Sequence, residues 1–417
     1  MSASLRLADG GEQLLTDLDS LSEMVDDSQP GWSRVALTEL DREGRHWVRR
    51  RMIESGLKAH IDEAGNVIGV LPGRDPSAGT IMTGSHTDTV PTGGKFDGNV
   101  GVAAALDVVR SLRAQGIQLA QDLMVVDFFS EEPNRFGLSC VGSRAMTGRL
   151  NADHLLARDA SGARFGDALV HAGIDPSTIM RARMDLTNVI AYVELHIEQG
   201  PNLEEQETPI GLVTSITGIS RFRGLFRGRM DHAGTMPMSR RHDAGCAAAG
   251  TVLAVESIAS DSETSRGTTG RLTFTPDAVN VVSETAEVFG EFRSPDPEWL
   301  SYARGELLDA AQEHGERRGV SVDIEWLSQE APVPMSDRLT QIASDALADL
   351  ELPYTMMYSG AEHDAAMIAH AVPSMMIFVP SRAGRSHCPE EFTDSADILR
   401  GAEALLNTIV GVSTRAG

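Results

Sequence analysis

Five side chains that can bind metal ions follow apolar, strand-like runs in this sequence of 417 residues. His86 and Asp97 lie in GSHTDTVPTGGKFDG, Glu132 in FFSEEPN, His196 in ELHIEQGP and His387 in SRAGRSHCPEEFT. Imidazoles and carboxylates without thiolates suit a catalytic Zn²⁺ site, with Mn²⁺, Co²⁺ or Ni²⁺ as alternatives. Two such ions sharing a carboxylate lie about 3.5–4 Å apart, polarise a carbonyl and lower the pKa of a bound water towards about 7. The set predicts a two-metal hydrolase.

Glu131, the acid before Glu132, is the candidate general base. Successive side chains of an extended backbone point in opposite directions, so the two glutamates cannot bind one metal ion in the same way. One can be a ligand while the other accepts a proton from water. Taken singly, such a dipeptide before Pro133 is typical of a solvated acidic turn.

Alternating strand-like and helix-like stretches must position these residues. TIMTGSHTD, LMVVDFFSEEPN, VIAYVELHIEQGP and PSMMIFVPS read as strands, and GVAAALDVVRSLRAQG reads as a helix between the first two. This alternation predicts an α/β fold with a mainly parallel sheet flanked by helices. Because the carboxyl ends of parallel strands meet at one sheet edge, we expect the five candidates to converge there.

The middle of the chain has a different order. Between about residues 214 and 330 the patterns run β-α-β-β-α-β, which predicts a complete four-stranded, two-helix α/β sandwich. We therefore expect a discontinuous catalytic domain over 1–213 and 331–417, interrupted by an inserted domain over 214–330.

The composition excludes several function classes. Acidic residues outnumber basic ones by 60 to 36, a net charge of −24, which argues against nucleic acid or an anionic membrane as a partner. Three widely spaced cysteines fit a reducing compartment, and the first residues show no secretion signal, so we expect a cytoplasmic protein. GGKFDG lacks the spacing of a phosphate-binding loop, and no GxSxG elbow supports a serine hydrolase.

Together these motifs resemble the M20 metallopeptidase superfamily and, within it, the hydantoinase/carbamoylase branch. EEPNRFG and DHAGTMPM add to the motifs quoted above, and the similarity extends from about Gly44 to the C-terminus. The resemblance implies one metal ion held by His86, Asp97 and His196, a second held by Asp97, Glu132 and His387, and Glu131 as the base. It also implies a cis peptide after Asp97.

The same resemblance assigns substrate-binding residues. His232 would stabilise the oxyanion, Arg293 would bind a substrate carboxylate, and Asn280, Gln199 and Gly360 would contact other substrate groups. Taken singly, His232 is more typical of a polar surface histidine, and Arg293 is as typical of an exposed sheet arginine. The inserted domain would act as a lid and form a homodimer, with its residues serving either their own active site or the partner's.

The resemblance implies hydrolysis of a linear C–N bond, first the ureido bond of an N-carbamoyl-L-amino acid. Allantoate and N-acyl or N-formyl amino acids are alternative substrates; a dipeptidase and a non-catalytic binding protein are further alternatives. One departure bears on this choice: where the family often has SGAGHDA, this chain has Ser359–Ala365 with Glu362 in place of a glycine. Glu362 could alter specificity or point away from the pocket.

Overall fold

The computed structural model describes residues 4–415. Its strands are β1 (Lys58–Ile61), β2 (Val67–Leu71), β3 (Thr80–His86), β4 (Asp122–Phe128), β5 (Val189–Ile197), β6 (Ile210–Ile216), β7 (Gly218–Arg227), β8 (Asp231–His232), β9 (Arg266–Thr275), β10 (Val281–Val282), β11 (Thr285–Ser294), β12 (Ser321–Glu330), β13 (Val333–Pro334), β14 (Tyr354–Ser359) and β15 (Ser374–Val379).

The α-helices lie between these strands and at both ends of the described chain. They are α1 (Glu12–Glu23), α2 (Glu39–Glu54), α3 (Asn99–Ala114), α4 (Val141–Met146), α5 (Ala152–Leu155), α6 (Phe165–His171), α7 (Asn202–Glu205), α8 (Ala244–Ser260), α9 (Pro297–Glu316), α10 (Asp337–Asp349), α11 (Asp364–Ile368) and α12 (Ser395–Arg415). Within residues 4–415, none of the helices combines the length and the apolar character that crossing a bilayer would require.

The chain divides into two compact units. The first comprises Met1–Thr214 and Pro334–Gly417, and the second is Ser215–Val333. The mixed α/β class and the parallel character of the central sheet agree with the sequence-based prediction.

The first unit is built on a large sheet with the strand order β1-β2-β4-β3-β5-β15-β6-β13, in which β14 also pairs with β6. The four central strands β4, β3, β5 and β15 run parallel to one another, whereas β2 and β6 flank them in antiparallel pairing. All six residues of β15 are buried, as expected for a parallel strand covered on both faces. The central strands therefore end at one edge of a rigid, buried scaffold.

Helix α3 connects this scaffold to the candidate site. Thirteen of its sixteen residues are buried, many of them alanine and valine, and it packs against β3 and β5. Its N-cap is Gly98, so its first turn begins directly after Asp97. Asp97 therefore directly precedes the N-terminus of α3 in the chain.

The second unit is an antiparallel sheet of four strands in the order β12-β7-β11-β9. Helices α8 and α9 pack together and against this sheet, and the unit has its own core. Phe222, Phe226, Val288, Phe292 and Leu307 are fully buried there. Strands β8 and β10 pair with each other at His232 and Val281 and form a short two-stranded ribbon. In the chain, β8 follows β7 and β10 precedes β11.

Candidate metal centre and active site

The predicted metal-binding residues lie at one edge of the central sheet. His86 is the last residue of β3, and His196 lies near the end of β5, the neighbouring parallel strand. Glu131 and Glu132 follow the end of β4, and His387 lies in the loop after β15. The order of these strands thus brings together residues that are up to three hundred positions apart in the chain.

The first group of donors contains His86, Asp97 and His196, all of them buried. Asp97 Oδ1 lies 3.1 Å from His196 Nε2 and 3.7 Å from His86 Nε2. The other ring nitrogen of each histidine faces a backbone carbonyl, Asp88 O at 3.0 Å and Ile197 O at 2.8 Å. A proton on Nδ1 would be donated to the carbonyl, and Nε2 faces the donor group, as in metal-binding histidines.

The second group uses the other oxygen of the same aspartate. His387 Nε2 lies 3.1 Å from Asp97 Oδ2 and 3.1 Å from Glu132 Oε1. These two contacts raise the pKa of His387 to about 11. Although burial alone would raise the pKa of Asp97, contacts with His196 and His387 hold it well below its usual range. Asp97 thus has one oxygen in each donor group, which is the arrangement of a bridging carboxylate.

The donor spacing can be compared with that around a divalent ion. Ligand atoms at about 2.0–2.1 Å from a tetrahedral Zn²⁺ are about 3.3 Å from one another. The separations of 3.1–3.7 Å around Asp97 are close to this value. Nitrogen and oxygen donors at this spacing fit a divalent cation.

Glu131 and Glu132 contact different donor groups. Glu131 Oε2 is 3.6 Å from His86 Nε2, whereas Glu132 contacts His387. The thiol of Cys140 donates to the other oxygen, Glu131 Oε1, at 3.6 Å. Burial raises the pKa of Glu131 well above its usual value, and the charge of Glu132 adds to the effect. A raised pKa suits a base that must exchange a proton near neutral pH.

Two further carboxylates, which the sequence reasoning did not identify, fix the loops of the site. Asp88 accepts hydrogen bonds from the backbone nitrogens of Glu131 and Glu132 at 3.1 and 3.2 Å. Glu391 Oε1 accepts from the backbone nitrogens of Phe96 and Asp97 at 2.8 and 3.0 Å. Both acids stand in the quoted motifs, in SHTDT and HCPEEF, but the motif strings alone do not show what their side chains contact.

Gln199, predicted to bind substrate, lies against the donor groups. Its Nε2 donates to Asp97 Oδ2 at 2.8 Å and is 3.3 Å from His387 Nε2. Its Oε1 is buried without a hydrogen-bond partner among the described residues. Gly360 is exposed in the loop after β14, and an added Cβ there would meet nothing within 4 Å.

The expectation of a cis peptide after Asp97 is wrong for this structure. Within residues 4–415, the cis bond is Thr275–Pro276. The chain turns after Asp97 in another way: Gly98 has φ 64° and ψ −43°, and Asn99 N donates to Asp97 O at 2.6 Å. This resembles a γ-turn, a conformation that glycine adopts at little steric cost.

The three candidates of the second unit do not form one cluster. His232 is exposed on β8, and Asn280 O accepts from Ala233 N at 3.0 Å, so His232 and Asn280 are neighbours. Arg293 lies at the far end of β11, where its Nε donates to Glu291 Oε1 at 2.6 Å. The eight residue steps from Thr285 to Arg293 span about 26 Å at about 3.3 Å per residue.

Comparisons with known proteins agree with the fold and with the family that the motifs resemble. The family described as Peptidase family M20/M25/M40 matches residues 82–410. The chain is 37% identical over 399 residues to an N-carbamoyl-L-amino acid amidohydrolase of Geobacillus stearothermophilus, covering 96% of this chain and 98% of that protein. It is 35% identical to a ureidoglycolate hydrolase of Oryza sativa subsp. japonica, covering 94% and 82% of the two chains.

A solved structure extends this agreement to three dimensions. The crystal structure of an amidase of the hydantoinase/carbamoylase family from Burkholderia vietnamiensis superposes with a TM-score of 0.87 at 30% identity, covering 100% of both chains. The resemblance to this branch is therefore confirmed. The names of the relatives also agree with the predicted enzyme class, hydrolases of C–N bonds outside peptides.

Proposed function

The chain belongs to Peptidase family M20/M25/M40, and we propose that it is a metal-dependent amidohydrolase that cleaves the ureido bond of an N-carbamoyl-L-amino acid. With one water molecule, the products are the amino acid, carbon dioxide and ammonia. The observation that carries this proposal is the Asp97 carboxylate, which has one oxygen in each donor group, together with Glu131, whose Oε2 lies 3.6 Å from His86 Nε2. The similarity to an N-carbamoyl-L-amino acid amidohydrolase supports the choice of substrate.

Five residues would hold two divalent ions per subunit, Zn²⁺ or alternatively Mn²⁺, Co²⁺ or Ni²⁺. His86 and His196 would bind one ion, Glu132 and His387 the other, and Asp97 both. Ions bound there would polarise the ureido carbonyl and acidify a water molecule. The backbone contacts of the two buried histidines, together with Glu391, would keep the donors in place before an ion arrives.

Glu131 would move the proton. Its Oε2 faces the donor groups, so it can take a proton from the attacking water and pass it to the leaving nitrogen. The Cys140 thiol holds Oε1 and leaves Oε2 for this exchange. Burial raises the pKa of this carboxyl above that of an exposed glutamate, which supports a role in proton transfer.

The second unit would supply the groups that bind the substrate, and its geometry favours a homodimer. His232 Nδ1 accepts from Gly234 N at 3.0 Å, so its Nε2 carries a proton that can be donated to the oxyanion. Arg293 lies about 26 Å along β11 from Thr285, which is at the end of the strand that follows the β8–β10 ribbon carrying His232, so one small ureido acid would not span from that end of β11 to Arg293. We therefore assign His232 and Asn280 to the site of one subunit and Arg293 to the site of its partner.

Gln199 and Gly360 complete the proposed substrate site. The Gln199 amide lies beside Asp97 and His387, where its nitrogen or oxygen could bind a polar group of the substrate. Gly360 leaves open space above its backbone.

The three cysteines are free thiols, which supports placement of the enzyme in the cytoplasm.

Ureidoglycolate is a second candidate substrate because a relative at 35% identity is named a ureidoglycolate hydrolase. The panel of substrates to be tested also includes allantoate and N-acyl or N-formyl amino acids, with a dipeptide as a further alternative. Turnover of this panel, measured before and after chelation and after Zn²⁺ or Mn²⁺ is restored, tests the proposal. We expect the N-carbamoyl-L-amino acid to give the highest kcat/KM and chelation to abolish turnover. Metal-independent turnover, or ligand binding without turnover, would contradict it.

A further inference from the structure

The Glu362 carboxylate, which the sequence left without an assignment, is engaged on both of its oxygens. Oε2 accepts a hydrogen bond from Ser139 Oγ at 2.9 Å, and Oε1 accepts from Arg144 Nη2 at 3.1 Å. Only 14% of the Glu362 side chain is exposed. Glu362 therefore forms an ion pair with an arginine of the same unit.

Arg144 and Ser139 contact each other as well as Glu362. Arg144 Nε donates to the backbone oxygen of Ser139 at 3.0 Å. One planar guanidinium thus contacts both the carboxylate and the serine carbonyl, a geometry that lysine cannot reproduce. Together these contacts tie the loop after β14 to the segment that leads into α4.

The residue after Ser139 contacts the proposed base directly. Cys140 N donates to Glu131 O at 2.8 Å, and the Cys140 thiol donates to Glu131 Oε1. A second backbone hydrogen bond joins the same two segments: Val141 N donates to Ser130 O at 3.0 Å. The position of Glu131 therefore depends on where residues 139–141 are held.

This segment needs support from outside itself. Ser130 and Cys140 have φ values of 51° and 50°, in the left-handed region that side-chain-bearing residues rarely occupy. Such conformations persist where surrounding contacts determine them. The contacts from Glu362 and Arg144 to Ser139 are contacts of this kind.

We propose that Glu362, Arg144 and Ser139 form a clamp that positions Glu131, and that Glu362 does not select the substrate. The inference rests on the proposed role of Glu131 in catalysis. Only 19% of the Arg144 side chain and 14% of the Glu362 side chain are exposed, so removing either partner leaves a mostly buried charge and also costs stability. Small displacements of a catalytic group cost up to about 100-fold in rate. A clamp variant that stays folded should therefore lose kcat.

The test compares Glu362→Gly and Arg144→Met with a matched control, Glu403→Gln. Glu403 pairs with Arg6 at 2.7 Å and has a similarly small exposed fraction, but it lies on α12. We expect each clamp variant to lower kcat at least about tenfold with KM within about twofold. Hydrogen exchange at the amides of residues 139–142 should accelerate in both clamp variants and stay unchanged in the control.

The double variant should be no worse than the stronger single variant, because both changes break one unit. Should Glu362→Gly not fold, Glu362→Gln, which removes the charge but keeps an acceptor, should show smaller changes in the same direction. A changed KM at constant kcat would make Glu362 a specificity residue and overturn the proposal, as would unchanged hydrogen exchange. Faster exchange in a protein that hydrolyses none of the panel would uphold the clamp and reject the proposed function.

Discussion

The assignment of lid residues to two subunits can be tested by complementation between two variants. His232→Ala removes the proposed oxyanion donor, and Arg293→Ala removes the proposed carboxylate ligand. Loss of one oxyanion donor costs about 100- to 1,000-fold in kcat. Loss of a hydrogen-bonded charge, at about 1.5–3 kcal/mol, costs about 10- to 100-fold in kcat/KM. Each homodimer should therefore have a kcat/KM at least about tenfold below that of the wild type.

The expected recovery follows from the distance of about 26 Å along β11. If one site takes His232 from one subunit and Arg293 from the other, a heterodimer of the two variants has one site with both defects and one site with none. The two variants are co-expressed with different tags, and the heterodimer is purified over both. Its kcat/KM per dimer should be about half that of the wild type.

A heterodimer as inactive as its parents would refute this reasoning, because each site would then take both residues from one chain. The control is a heterodimer of two differently tagged His232→Ala chains, which should recover nothing. A protein that is monomeric while active would also refute the assignment.

Three further predictions concern single residues. Glu131→Gln should keep its metal ions but lose about 100- to 10,000-fold in kcat, as measured by metal analysis and initial rates; near-normal turnover would reject the base. Glu391→Gln should weaken metal affinity about 10- to 100-fold in competition with a chelator, because a neutral amide supports the Asp97 loop less well. Burial raises the pKa of Asp127 to about 7, so the folded protein holds a proton that the unfolded chain releases above about 3.8. The free energy of unfolding therefore falls as pH rises from about 3.8 to about 7, by at most about 4 kcal/mol for a pKa difference of about 3.2. Asp127→Asn should raise the melting temperature more at pH 8 than at pH 5; an equal shift at both would contradict the assignment.

The sequence predicted the mixed α/β class and the convergence of the metal-binding candidates for a physical reason. His86 and His196 directly terminate apolar runs, and parallel strands bring such ends to a common edge. These inferences needed only local patterns and one rule of sheet topology.

The remaining features depend on side-chain and loop conformations that local patterns do not determine. The turn at Gly98 could close with either peptide isomer, and the cis expectation was wrong. The contacts of Glu391 and Glu362 join loops separated by more than two hundred residues, so no motif reveals them. The separation of His232 from Arg293 could be derived only once the length and pairing of β11 were known.

The most direct test of the account is the number of divalent ions that each subunit binds. The wild type, Asp97→Asn and the control Glu403→Gln are each freed of metal with a chelator and dialysed against Zn²⁺ or Mn²⁺. The bound metal is then measured by mass spectrometry. We predict about two ions per subunit for the wild type and the control, and a loss of both in Asp97→Asn, because Asp97 contributes an oxygen to each donor group. A wild-type protein that binds no divalent ion, or an Asp97→Asn protein that binds as many as the wild type, would contradict the central claim.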